Sequence, residues 1–429
     1  DVNRHVQQAL EYQYKIGGAA LNSVKTHDVL ISGVANHAAA IALLDADVRP
    51  VFAYLDGLGR PIQTVAVKES AGTNDMVNYQ TYDEFGRGRY QYLPHTVTSN
   101  NGAYRSNASG SQAAFYIALF GSTDGVYSFQ QTEFEASPLN RIKRQRAQGS
   151  LYYNKPIVNN YYANDANEVR NFKTSGFYGV NTLIKTQVTD EHNKLTTTYT
   201  DKLARKVMTN QDGSRTYYLY DDFGNLQSVI QPLGSALGHN NSMLLWTDAS
   251  LNNLSFKYTY DDRQRLSTKT VPGAGTTTLY YDRLDRLVMS ADANGVKLFT
   301  KYDILGRPVL TGRYFGPLTP SASNGLYESI TNGNSPLYYT QTQSFPTSSS
   351  LARIFSITYY DGYDWDASNT VDATEQYSTP PSVSAPYQTY VQPYSWVRGK
   401  ATCVKTALLP PGASDIINYY YKTASYYDI

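Results

Sequence analysis

Cysteine is nearly absent. Cys403 is the single one among 429 residues, so the chain makes no intrachain disulfide, no Cys-x-x-Cys redox pair and no zinc knuckle. An excess of charge of one sign is also lacking: 37 Lys and Arg face 36 Asp and Glu, a formal charge of +1. That leaves no general cationic surface to condense on nucleic acid or on an anionic bilayer, and neither is expected as a partner. No run approaches the roughly 18 apolar residues of a membrane span. The opening Asp1-Val2-Asn3-Arg4-His5 does not resemble a signal peptide, so an export signal is expected outside this chain. Phosphate-loop, nucleophile-elbow and dinucleotide fingerprints are missing. The histidines (His5, His27, His37, His95, His192, His239) are dispersed, without zinc-helix spacing. No catalytic residue is indicated and an enzyme is not expected.

Tyrosine is what the chain has in abundance, 40 residues against 14 Phe and 3 Trp. A phenol suits a half-buried pleated surface, ring inward and hydroxyl outward. With 41% hydrophobic and 17% charged residues, the composition reads as globular and β-rich, and the length as two or three domains at about 150 residues each.

A short repeat carries the organisation. Tyr220-Asp221-Asp222-Phe223-Gly224-Asn225, Tyr260-Asp261-Asp262-Arg263-Gln264-Arg265, Tyr281-Asp282-Arg283-Leu284-Asp285-Arg286 and Tyr302-Asp303-Ile304-Leu305-Gly306-Arg307 share the pattern Tyr-Asp-x-x-Gly-Arg. Tyr82-Asp83-Glu84-Phe85-Gly86-Arg87, the longer Tyr54 to Arg60 and the weaker Asp201 to Arg205 are further copies. The unit is about 20 residues, room for two strands and two turns but not for two packed helices. Each unit is therefore expected to be a β-hairpin. Asp favours the first position of a type I turn, and the Gly three residues on can take positive φ in the bulge that follows. Asp83, Gly86, Asp221, Gly224, Asp303 and Gly306 are the candidate structural turn residues, with strand tyrosines Tyr218, Tyr280 and Tyr302. Where Ala204, Gln264 or Asp285 replaces the Gly, the turn should be strained or differently shaped. Asn210 to Gly213 and Asp292 to Gly295 supply opposite turns.

The expected organisation is an N-terminal segment with a short helix (1–50, helix within 35–45), first repeats (51–93), an insert of loops, strands and a helix near 111–120 ended by Gly121 (94–198), tandem hairpins (199–315) and degenerate β repeats with Pro- and Ser-rich loops (316–429). Fold class is mainly β, hairpin repeats with a few short helices.

These motifs resemble the YD repeats of the Rhs family, bacterial shell proteins related to toxin-complex C components and animal teneurins. Tyr54 to Val65, Tyr92-Leu93-Pro94, Phe134-Glu135-Ala136-Ser137-Pro138-Leu139-Asn140-Arg141 and Leu298 to Arg307 are similar to the opening of Rhs proteins in the branch using type IX export, with the likeness strongest over 50–315. The resemblance implies a β-ribbon spiralling into a hollow cocoon around a C-terminal toxin or other cargo, secreted or at the outer membrane. Its implied partners are the missing C-terminal part of the same polypeptide and outer-membrane secretion or surface-lipoprotein components. The Asp-Pro plug motif of many members is absent here. The alternatives are a surface adhesin or carbohydrate-binding protein, anchored by Trp246, Trp365 and Trp396, and a subunit of an outer-membrane export assembly.

One stretch has cation-ligand spacing. Asp364, Asp366, Ser368, Thr370, Asp372 and Glu375 place oxygens at positions 1, 3, 5, 7, 9 and 12 of an EF-hand-like calcium loop. Position 6 is Asn369 rather than Gly, and the flanks do not read as helices. It is either a calcium site or a plain acidic loop, and no other cofactor is expected. Arg141 to Arg146 gathers four cations, as a partner patch or a solvated basic loop.

Overall fold

The computed structural model describes residues 8–13, 21–31, 34, 36–43, 47–70, 72–240, 243–317, 325–329, 339–347, 351–361, 399–407 and 420–425. The chain divides into two compact units, one of Asp1–Val169 and Tyr178–Arg215, the other of Arg170–Phe177 and Thr216–Ile429. Both are built from antiparallel hairpins, as the repeat predicts.

In the first unit the strands are β1 (Gln8–Gln13), β2 (Asn22–Val29), β3 (Val48–Leu55), β4 (Pro61–Ala66), β5 (Asp75–Tyr82), β6 (Gly88–Tyr92), β7 (His95–Val97), β8 (Phe129–Phe134), β9 (Ile142–Arg146), β10 (Ile157–Ala163), β11 (Ile184–Thr189), β12 (Leu195–Thr200) and β13 (Lys206–Gln211). Each pairs antiparallel with its chain neighbour up to β6, after which β6 takes β8 and β5 also takes β7. The order then runs unbroken from β8 to β13. Short helices α1 (His37–Ile41), α2 (Ala108–Asp124) and α3 (Ser150–Tyr153) sit in the connections. The helix expected over 35–45 is thus a single turn, started by Asn36, whose side chain accepts from the Ala39 amide at 2.9 Å. The helix expected to end at Gly121 starts earlier, at Ala108, and resumes beyond it. Gly121 adopts φ 78°, a kink that glycine tolerates without a Cβ clash.

The second unit holds β14 (Ser214–Tyr220, its first two residues counted with the first unit), β15 (Leu226–Ile230), α4 (Pro232–Asn240), β16 (Ser255–Tyr260), β17 (Leu266–Val271), β18 (Gly275–Tyr281), β19 (Leu287–Ala291), β20 (Lys297–Tyr302), β21 (Pro308–Tyr314), β22 (Ala352–Tyr360), β23 (Ala401–Ala407) and β24 (Tyr420–Ala424). From β14 to β24 every strand pairs antiparallel with the next. Alternation decides which side chains are covered, because successive residues point to opposite faces. In β20, Phe299 and Lys301 are buried while Leu298 is exposed. Among the described residues the packed clusters include Val65, Val77, Tyr79 and Ala108 in the first unit, and Val309, Leu310, Tyr339, Ile357, Tyr359 and Cys403 in the second.

Candidate functional site

The repeated turn is the most regular feature of the structure. In Asp83, one carboxylate oxygen accepts from the amides of Phe85 (3.0 Å) and Arg87 (2.9 Å), and the other accepts from Arg87 Nε at 2.8 Å. Asp303 repeats this with Leu305 (2.9 Å), Arg307 (2.9 Å) and Arg307 Nε (2.7 Å). Asp221 does so with Phe223 (3.0 Å) and Asn225 (2.8 Å), and the Asn225 side-chain amide takes the place of the guanidinium at 3.0 Å. The backbone closes the same loop each time, through Gly86 N to Asp83 O and Asp83 N to Arg87 O. A register shift falls at the motif tyrosine, as at Thr81/Tyr82, Thr259/Tyr260 and Lys301/Tyr302. This is a type I turn with a glycine bulge.

Gly86, Gly224 and Gly306 lie at φ +79°, +90° and +79°, where a side chain is disfavoured. Ala204, Gln264 and Asp285 adopt the same conformation, at φ +60°, +60° and +63°, and make the same amide contact to the motif Asp carbonyl. Of the two outcomes expected for these copies, strain is what occurs, because the Asp clasp and flanking strands dictate the turn shape. Gln264→Gly should accordingly raise stability by about 0.5 to 1 kcal/mol, the left-handed penalty minus the entropy of glycine. Gly306→Val should lower it by about 2 kcal/mol. Urea midpoints measure both, and equal midpoints would refute the shared geometry.

The tyrosines and arginines link successive turns. The Arg60 guanidinium lies 4.3 Å over the Tyr82 ring, Arg265 4.6 Å over Tyr281, Arg286 4.4 Å over Tyr302 and Arg307 4.2 Å over Tyr360. Each of those phenols donates to the carbonyl that follows the arginine: Tyr82 to Pro61 (2.9 Å), Tyr281 to Leu266 (2.9 Å), Tyr302 to Leu287 (2.8 Å) and Tyr360 to Pro308 (3.1 Å). The motif hydroxyl therefore does not simply face water. It satisfies a carbonyl of the preceding repeat while its ring stacks on that repeat's guanidinium. Each repeat is built to receive the next.

The carboxylates of Asp56, Asp83, Asp221 and Asp261 titrate low. Arg60's amide is the largest cause at Asp56 and the Arg265 guanidinium at Asp261; at Asp83 and Asp221 burial pulls upward, but the turn amides and side-chain donors outweigh it. A depressed native pKa means that the unfolded chain binds protons first, so this stabilisation is complete above the ordinary carboxylate range and is lost as pH falls through the lowered native values. Melting temperature followed from about pH 7 to about pH 2 should hold level and then fall below the ordinary carboxylate pKa; a profile already falling near neutrality would contradict the clasps.

Other polar groups serve as knots that composition did not reveal. In the first unit Asp75, fully buried, accepts from the Lys68 amide (3.1 Å), Ser99 Oγ (2.7 Å), the Asn100 amide (2.9 Å) and Arg105 Nη2 (3.0 Å). Three of the four cations in the basic run at 141–146 have carboxylate partners: Arg141 pairs with Glu135 at 2.7 Å, and Arg144 and Arg146 share Glu133. In the second unit Lys301 Nζ reaches Glu328 Oε1 (2.7 Å) and the carbonyls of Gln341 (2.6 Å), Ser344 (2.9 Å) and Pro346 (2.8 Å). Burial pushes the Lys301 pKa down and Glu328 pulls it back. Arg170, also buried, donates to the carbonyls of Asn171 (2.6 Å), Leu244 (2.8 Å), Gly238 (3.3 Å) and Gly176.

The calcium-spaced residues Asp364, Asp366, Ser368, Thr370, Asp372 and Glu375 lie outside the described residues, as do Trp365 and Trp396. Among the described residues no group of three His, Cys, Asp or Glu is placed to hold a metal, and no helix is long and apolar enough to cross a membrane. Trp246 is described, and Lys257 Nζ covers its ring at 5.8 Å.

A family model described as a domain of unknown function (DUF6443) matches residues 31–163. No curated protein matches the chain. Among solved structures, TcdB2-TccC3 superposes with a TM-score of 0.52 at 15% identity, covering 98% of this chain and 19% of that one. TcdB2-TccC3 without its hypervariable C-terminal region gives 0.50 at 14% identity over 95% of this chain and 18% of that one. A Tc holotoxin pore of Photorhabdus luminescens gives 0.50 at 14% identity, with the same coverage of 95% and 18%. This chain thus spans about a fifth of the length of TcdB2-TccC3, and what the two share is a fold: the mainly β hairpin architecture expected from the repeats.

Proposed function

We propose that this chain is a non-enzymatic wall segment of an Rhs-type shell that encloses or presents a cargo, secreted or at the cell surface. The observation that carries it is the repeat-to-repeat link, in which arginine stacking and a tyrosine hydrogen bond extend the sheet one hairpin at a time. Such a device makes a continuous wall. The fold likeness to TcdB2-TccC3 supports the reading, and one of those structures is described as lacking a hypervariable C-terminal region, so that relative has a separable C-terminal part. For this chain the corresponding cargo is the remainder of the same polypeptide. A closed β wall would keep it from proteases and from folding until release.

The test is the intact mass of the protein, and of everything that copurifies with it, after gentle extraction from its source. A longer chain, or a released C-terminal fragment in the same particle, supports the shell. A chain ending at Ile429 with unrelated stoichiometric partners overturns it in favour of a subunit of a surface assembly. Calcium at Asp364 to Glu375 is proposed separately, and a melting temperature indifferent to calcium and to chelator would refute it.

A further inference from the structure

A groove of about 450 Å³ opens in the first unit between β5, the segment 104–106 and the first turn of α2. Its size falls within the range of about 300 to 1,000 Å³ found for small-molecule sites. Alternation along β5 turns Thr81 to the same face as Tyr79, which packs with Ala108 of α2. Tyr104, Arg105, Ser106 and Ser109 form the other side. The Tyr104 ring is 43% exposed and meets the Tyr54 ring in a T-shaped contact at 5.3 Å. The hydroxyls of Thr81, Tyr104, Ser106 and Ser109, and Arg105 Nη1, have no hydrogen-bond partner among the described residues.

The sides of the groove are fixed by bonds of their own. Gln63 ties the 104–106 segment to β4, donating from Nε2 to the Arg105 carbonyl at 2.9 Å and accepting from the Arg105 amide at 2.7 Å. Tyr54 donates to the Gly102 carbonyl at 2.6 Å, and Asp75 holds Ser99, Asn100 and Arg105 from below. Little loop entropy is then left to lose on binding. The groove is also polar without carrying net charge. Arg60 and Arg105, the ionic residues of its lining, are each paired within the chain, with Asp56 and with the fully buried Asp75.

We propose that this groove binds a neutral saccharide, with the Tyr104 ring as its stacking platform and Thr81, Arg105, Ser106 and Ser109 as its hydrogen-bond partners. A sugar offers a C–H face to an aromatic ring, and hydroxyls that both donate and accept, so it can answer unpartnered hydroxyls and a guanidinium at once. An anion finds no uncompensated cation in the lining. An apolar ligand leaves the hydroxyls without partners. A peptide cannot add as a strand, because β5 is paired on both edges. The site goes beyond the shell reading, does not depend on it, and uses none of the three tryptophans.

An array of neutral and acidic oligosaccharides tests this on the whole chain, followed by calorimetric titration of the glycans it retains. The wild type should bind neutral glycans, and Tyr104→Ala should weaken that binding at least about tenfold. Ser109→Gln, which sets a longer side chain on the same side of the groove, should do the same while leaving the Tyr54 contact in place. Tyr162→Ala removes an exposed tyrosine outside the groove and should change nothing. Tyr104 and Ser109 are exposed, so circular dichroism of the variants should match the wild type. No glycan bound at about 100 μM protein overturns the proposal, as does binding indifferent to both Tyr104→Ala and Ser109→Gln. Retention of acidic glycans alone, lost in about 0.5 M salt, overturns it in favour of an anion site.

Discussion

Lys301→Met should destabilise the second unit by about 3 to 5 kcal/mol, the cost of leaving one member of a buried ion pair uncompensated. The Lys301 side chain is 2% exposed and that of Glu328 is 0%, so water cannot replace the lost ammonium. Glu328 also accepts from Ser344 N (3.0 Å), Ser344 Oγ (2.7 Å) and Thr340 Oγ1 (2.6 Å). The pair thereby binds the segments 325–329 and 339–347 to β20. Those segments have little regular structure of their own, and the carbonyls of Gln341, Ser344 and Pro346 depend on the same ammonium. Removing both partners in Lys301→Met/Glu328→Leu should cost less than the sum of the single losses, because no isolated charge remains. Urea denaturation of the single and double variants gives the coupling. A Lys301→Met loss below about 1 kcal/mol would show that the segments are held by packing alone.

Arg170→Met should cost about 4 kcal/mol and loosen 170–177 to proteolysis. Among the described residues the guanidinium is met by no carboxylate and is satisfied by backbone carbonyls from its own hairpin and from residues 238 and 244. A hydrogen bond to a charged donor contributes about 1.5 to 3 kcal/mol, and each orphaned buried carbonyl costs about 1 to 3. Phe172 packs edge-on to Tyr217 at 4.9 Å, and its ring sits where a Cβ on residue 238 would be, which is why Gly238 is needed beside it. Arg170→Lys should recover only part of the loss, since an ammonium cannot span the fork of acceptors. Equal cleavage rates in wild type and Arg170→Met would contradict the assignment.

What the sequence determined by itself was local. The Asp-x-x-Gly spacing contains its own turn, because the carboxylate, the amides it binds and the left-handed residue all fall within five positions, and hairpins follow without reference to the rest of the chain. The β class and the neutral, disulfide-free surface were equally legible. Tertiary structure decided the destination of every long-range partner. Nothing in the composition shows that Tyr302 donates to a carbonyl 15 residues back and Tyr360 to one 52 back, since that distance depends on what is inserted between hairpins. Lys301 offered one signal, a cation on the core-facing alternation of β20 beside Phe299, but Glu328 could not be matched to it across an irregular segment. Asp75, Arg105 and Arg170 left no signal at all. A buried charge is located by the carbonyls and amides that converge on it, and that convergence exists only once the strands are in register.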